Sequence, residues 1–140
     1  MAILARRRVN KAAIAPLIKE AIIQAVQTRG RQAFDMSQAI VPVKTGFLKR
    51  SGKFTLLPLG CQIIYSAFYA SLIEKGRAAG MERVKTYLRS NGSIVSGHMR
   101  MVHALPARHF IMNSVQTAFQ SISDEFDGQL RVRFKNVVRK

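Results

Sequence analysis

The sequence predicts an α+β fold: a long N-terminal helix, a small antiparallel sheet, and a C-terminal helix packed on that sheet. Three patterns carry this reading. Ile14, Leu17, Ile18, Ala21, Ile22 and Ala25 recur at helical spacing near the N-terminus. Two short runs of high β-propensity flank Pro58-Leu59-Gly60 in the middle of the chain. Ile111, Val115, Ala118, Phe119, Ile122 and Phe126 form a second helical stripe. A length of 140 residues suits one domain, so the expected division is a basic N-terminal arm over 1–11 and a single α+β domain over 12–140. The hydrophobic fraction of 48% is enough for a core and too high for a disordered chain.

In order, residues 12–40 are expected to be helical, with Pro16 in the first turn or at a kink. Ile23 and Val26 lie off the main stripe and predict a second packing partner, from the same monomer or a neighbouring subunit. Gly30 is a candidate interruption, and Pro42 ends the helix by pushing its predecessor from helical angles. Thr45-Gly46 reads as a turn, with Thr45 capping a short helical turn through Phe47, Leu48 and Arg50. Strands over 53–59 and 62–67 pair as a hairpin, and a short helix over 68–75 closes at Gly76. Residues 77–100 read as a basic loop or hairpin around the Asn91-Gly92 turn, and 99–105 as a further strand. Pro106 is placed to open the last helix, which runs to about residue 127. Beyond it Leu130-Arg131-Val132-Arg133-Phe134 alternates like a strand, while Phe126, Leu130 and Phe134 also continue a helical stripe, so both readings stay open.

Lys and Arg total 23 against 7 Asp and Glu, a net charge of +16. Such a chain attracts nucleic acid or an acidic protein surface. The candidate contacts are Arg6, Arg7, Arg8 and Lys11 in the arm, and Arg77, Arg83, Lys85 and Arg89 in the basic loop. Contact through these residues is sequence-blind and weakened by salt; the alternative for each is a solvated charge. No apolar run reaches the length of a membrane span, and the N-terminus has the wrong charge order for a signal peptide, so a soluble protein made in the cytoplasm is expected. The lone Cys61 reads as a small buried hydrophobe.

Catalytic patterns are weak. His98, His103 and His109 lack the spacing of a helical metal pair, and one cysteine builds no thiolate-rich zinc site. Asp124, Glu125 and Asp127 read as a solvated face or as partners of arginines rather than as a metal site. No phosphate-cradling glycine loop or nucleophile elbow is present. A basic ribonuclease using Arg77, Arg83, His98 and His103 is the enzymatic alternative. No catalytic residue, metal site or cofactor is expected.

Four segments, taken together, carry a resemblance. Pro42-x-x-Thr45-Gly46-x-Leu48-x-x-Ser51 comes first, then a β-hairpin. Tyr69-Ala70-x-x-x-Glu74-x-Gly76 follows, then Pro106-Ala107-Arg108-x-Phe110 before a final helix. In this order and spacing they resemble the neck and tail-completion proteins of tailed bacteriophages, the family typified by gene product ten of phage HK ninety-seven. The resemblance covers about residues 12–127. The chain departs from it at Arg77, where members commonly carry threonine, and at His109, where they often carry proline. Its segment 77–100 is also longer. The resemblance implies a non-enzymatic structural subunit of the virion, assembled in the host cytoplasm. It implies a homo-oligomeric ring (a hexamer or dodecamer) at the head–tail junction, with phage connector and tail proteins and packaged DNA as partners, and no membrane. Pro42 and Gly46 are expected to shape a turn, Leu48, Tyr69 and Phe110 to pack the core, and Glu74 to form an ion pair within or between subunits. Fold maintenance within the chain is the plainer role for all of them. The alternative function is a free, sequence-nonspecific nucleic-acid-binding protein.

Overall fold

A computed structural model describes residues 11–138, with side chains over 14–135. It is mixed α+β: a long N-terminal helix, small antiparallel sheets, and C-terminal helices packed against them. Arg6, Arg7 and Arg8 lie outside the described residues. Lys11 is the first residue of α1, its side chain likewise outside.

Helix α1 spans Lys11–Ile40 and carries Pro16 and Gly30 within it. Gly30 therefore does not interrupt the helix. A Cβ there would lie 2.0 Å from the Cys61 Sγ, so glycine is the residue that lets the first hairpin sit against the helix. The buried face of α1 is a seam of small residues, Ala21, Ala25, Ala33 and Ser37. Their four-residue spacing keeps them on one side of the helix. The larger members of the expected stripe behave differently: Ile18 is 37% and Ile22 47% exposed. Small side chains permit close helix approach, and the branched ones are left beside the seam.

Helix α2 (Phe47–Arg50) leads into β1 (Gly52–Leu57), which pairs antiparallel with β2 (Gly60–Tyr65) in the register Phe54 to Ile63 and Leu56 to Cys61. Both strands start and end earlier than the sequence suggests, because Leu57 and Gly60 are themselves the last pair and only Pro58-Leu59 turns. The cap of α2 also differs from expectation. Gly46, at φ 73°, is the N-cap, and Thr45 only accepts a long bond from the Phe47 N–H at 3.4 Å. Left-handed backbone at the cap favours glycine over threonine. Helix α3 is shorter than expected, Ala70–Lys75.

The segment after α3 is a two-stranded arm. β3 (Gly80–Val84) pairs with β6 (His98–Val102), and β4 (Tyr87–Leu88) with β5 (Ile94–Val95). The strand expected after the basic loop is thus the arm's own return strand. Three separate two-stranded sheets replace the one small sheet of the sequence reading.

Helix α4 spans Phe110–Phe119 and α5 Ile122–Val138. The last helix does not open at Pro106. The Arg108 and His109 N–H groups bond to the Ile73 and Glu74 carbonyls at 3.0 and 3.1 Å, which keeps this stretch out of the helix until Phe110. Those carbonyls end α3 and have no partner inside it, so this pairing satisfies both sides. Residues 129–138 are helical, passing through Gly128. Arg133 reaches Glu20, and Arg29 reaches Glu125 at 3.4 Å, which ties α5 along α1. The seam of α1 receives Ser114 and Ala118 of α4, both almost fully buried, and Phe110 meets Tyr65 of β2 edge-on at 5.0 Å between ring centroids.

Candidate functional site: the arm and its joint

Three of the four segments behind the resemblance converge on one core. Leu48 from the first, Ala70 from the second and Phe110 from the third are buried together with Val41 and Ala67. Tyr65, Tyr69, Ile73 and Ile111 pack around them. Ser51 is buried and donates to the Leu48 carbonyl at 2.7 Å, closing the turn that Gly46 opens. Pro42, Thr45 and Gly46 line a shallow cavity of about 410 Å³ with Tyr69 and Ile73. Tyr65 and Ser37 also belong to the core's polar lining, though no motif marks them. The Tyr65 hydroxyl lies 2.7 Å from the Ser37 Oγ and accepts from the Gln38 Nε2 at 3.1 Å. Burial pushes this phenol's pKa up against the lowering effect of those two bonds.

Glu74 has a different role from the ion pair expected of it. Its carboxylate accepts the Ile111 N–H at 3.0 Å and the Met112 N–H at 2.9 Å. These are free donors in the first turn of α4. The residue before that turn, His109, sits at φ 47° and supplies no side-chain cap. Glu74 therefore caps α4 from α3, while its own carbonyl accepts the His109 N–H. A carboxylate at a helix N-terminus is favoured by the helix dipole as well. Left-handed backbone at 109 is closed to proline, whose φ is fixed near −65°.

Gly76 closes this joint. Its backbone, at φ 72° and ψ −174°, occupies a region open essentially to glycine alone. A Cβ there would stand 2.6 Å from both the Ala107 N and the Leu105 O. Arg77 and Leu105 then exchange two backbone bonds of 2.8 Å, the first rung of the arm. Pro106 and Arg108 are exposed on its return side.

From that rung the arm runs outward. Glu82 and Arg100 face each other across it, joined by bonds of 2.8 and 3.1 Å. The hydrogen bond and charge of Arg100 hold the Glu82 carboxyl below the usual carboxylate range. Gly97 packs beside Val84 and accommodates the Thr86 hydroxyl at its N–H. The tip is the Asn91-Gly92 turn: Gly92 is at φ 81°, and Asn91 accepts from the Ser93 N–H at 3.1 Å. At about 3.3 Å per residue, the outgoing chain from Gly80 to Leu88 corresponds to roughly 30 Å of strand.

The candidate cationic residues Arg77, Arg83, Lys85 and Arg89 are strung from root to tip, all exposed and none in an ion pair among the described residues. They form no shared cleft. The residues of the ribonuclease alternative are spread in the same way: His98 lies opposite Val84, and Arg77 reaches the His103 carbonyl at 3.4 Å. Among the described residues no group of three or more His, Cys, Asp or Glu side chains is placed to hold a metal ion, and no helix is long and apolar enough to cross a membrane. Of the acidic trio, Glu125 pairs with Arg29, whereas Asp124 and Asp127 are exposed. Cys61 is half-buried, and burial raises its thiol pKa.

The arm also carries what sequence reasoning did not single out, an apolar surface. Met81 and Met101 are cross-strand partners at 58% and 66% exposure. Leu88 and Ile94 are partners nearer the tip at 67% and 72%. The alternation of Met99 and Met101 marks one face of β6 in the sequence, but nothing local points to β3 as its partner.

No protein-family model, curated protein or solved structure matches this chain.

Proposed function

We propose that the chain is a structural virion protein of a tailed phage. In this reading it forms a ring at the head–tail junction, helps join head to tail, and lines the DNA channel. The class comes from the resemblance of the 42–51, 69–76 and 106–110 segments to neck and tail-completion proteins. The observation that carries it furthest is their convergence. Leu48, Tyr69, Ala70 and Phe110, one or two from each segment, pack together in one core, and the backbone of the last two segments anchors a projecting arm. They build a mount for the arm, which suits a subunit whose work is contact.

Copies of a +16 chain in a ring make a cationic collar, favourable to packaged DNA without regard to sequence. The decisive experiment is electron microscopy of particles assembled with the gene deleted. Separate filled heads and free tails, or heads that have lost DNA, are expected. Complete, normal particles would remove the neck role. The second reading, a free nucleic-acid-binding protein, is favoured by the net charge alone. It predicts that the purified chain carries nucleic acid that high salt releases.

A further inference from the structure

We infer that the arm of one copy docks in an apolar groove at the far end of helix α1 of the next, so that copies join head to tail. This deepens the ring reading and rests on it. The groove has two connected parts sharing Ile22. One, of about 470 Å³, lies between Ile18, Ile22 and Leu59 of the hairpin turn. The other, of about 210 Å³, lies between Ile22, Val26 and Phe126 of α5. Leu59 is 71% exposed, and Ile22 faces outward beside the alanine seam.

Three observations commit the groove to this occupant. The first is chemistry. The arm's unpaired charges, Arg83, Lys85 and Arg89, are positive, and it exposes methionine, leucine and isoleucine between them. The groove is apolar, and Asp127 stands one turn from Ser123 on its α5 rim, with Asp124 nearby. These two are exposed carboxylates without an ion pair among the described residues of a strongly basic chain. Lys19 on the opposite rim and Arg131 beyond Asp127 offset part of this charge. The second is size. Gly80–Val102 supplies about as many residues as one side of a standard interface, roughly 20–30. The third is position. The arm springs from the end of the body where Phe110 meets Tyr65, whereas the groove lies toward the start of α1, a helix about 45 Å long. Two different surfaces, roughly 20 Å apart along α1 from Ile22 to Ser37, give a heterologous contact, which closes into a ring when the rotation between copies allows it. A lone two-stranded ribbon is marginally stable and leaves both edges open, so docking also supplies the arm with packing.

The test uses two full-length variants at exposed positions. Met81→Glu/Met101→Lys/Ile94→Thr strips the arm of apolar contact while keeping an attractive cross-strand pair. Ile22→Arg fills the groove with a cation. Circular dichroism checks that each folds, and sedimentation velocity reads association. The wild-type chain is expected above monomer mass, and each variant alone weakened by at least about 30-fold, the effect of losing a buried anchor. An equal mixture is expected to form a one-to-one dimer and nothing larger, because one sound arm and one sound groove remain per pair. The inference is overturned if either variant assembles like the wild type, if the mixture stays monomeric, or if the wild type does. The neck role fails separately, by complete particles forming without the gene.

Discussion

Replacing Glu74 tests whether the joint is held by a cap or by an ion pair. Glu74→Ala removes both acceptors from the first turn of α4 and leaves the half-buried Ile111 N–H without a partner. Loss of an ordinary N-cap costs about 1 kcal/mol. Here the acceptor is charged, and bonds to charged groups contribute about 1.5–3 kcal/mol net. The dipole effect is contained in the same contacts, so a total of about 2–3 kcal/mol is expected. For a chain of this size that is a fall in Tm of roughly 8–12 °C, measured at fixed protein concentration. Glu74→Gln keeps one oxygen acceptor and loses the charge, so it is expected to cost about 1 kcal/mol. Urea denaturation followed by circular dichroism gives the energies. Amide exchange should show Ile111 and Met112 losing protection first. The cap is refuted if Glu74→Ala stays within about 0.5 kcal/mol of the wild type, or if Gln and Ala cost the same, as an ion pair would require.

Gly76→Ala forces a Cβ into two backbone atoms and a side chain into a glycine-only region; a loss of about 3 kcal/mol or more is expected by denaturation, and a change under about 1 kcal/mol would refute the geometry. Gly30→Ala meets the Cys61 Sγ and is expected to cost about 1–3 kcal/mol. Adding Cys61→Ala should restore most of that, since alanine improves the helix by about 1 kcal/mol over glycine, and a double mutant no better than Gly30→Ala alone would show that the clash is not with sulfur. Arm order should also depend on pH. The folded pKa of Glu82 is lowered, so its pairing with Arg100 favours the ordered arm above the ordinary carboxylate value of about 4.3 and is lost as pH falls through the lower folded value. Methyl NMR signals of Met81 and Met101 should shift in that acid range while global Tm does not respond to this exposed pair; methyl signals unmoved below it would refute the coupling.

The α+β class and the order of its elements were legible because they follow from periodicity. The Asn91-Gly92 tip was legible from turn chemistry. Less legible was anything set by a partner distant in sequence. Pro106 has the local features of a helix start, yet α3's free carbonyls capture Arg108 and His109 and delay the helix to Phe110. The strict alternation after Gly128 has the period of a strand, but the pairing of Arg133 with Glu20 favours the helix along α1. Glu74 stood out as the acid in a basic stretch, and a charge partner was the natural expectation; its partners are backbone donors 37 and 38 residues away, which no side-chain pattern reveals. Ile18 and Ile22 show the limit of the helical stripe. Spacing places them on the same side as Ala21 and Ala25, but only packing decides which half of that side is covered.

That last point bears on how the molecule can work. The largest fully buried side chain is Phe110, at the joint, and the α1 seam is closed by alanine and serine. The large apolar residues of the arm and groove are outside both. Removing Met101 or Ile22 therefore takes little from the folded monomer, whereas removing Phe110 or the Glu74 cap takes the arm's mount with it. In the proposed assembly, folding and association draw on separate sets of residues. Variants of the arm and groove should retain the wild-type Tm of the monomer while differing in mass, and variants of the joint should lose both together. A joint variant that unfolded more easily yet docked its arm normally would contradict this division, because the arm's orientation passes through Gly76 and the rung between Arg77 and Leu105.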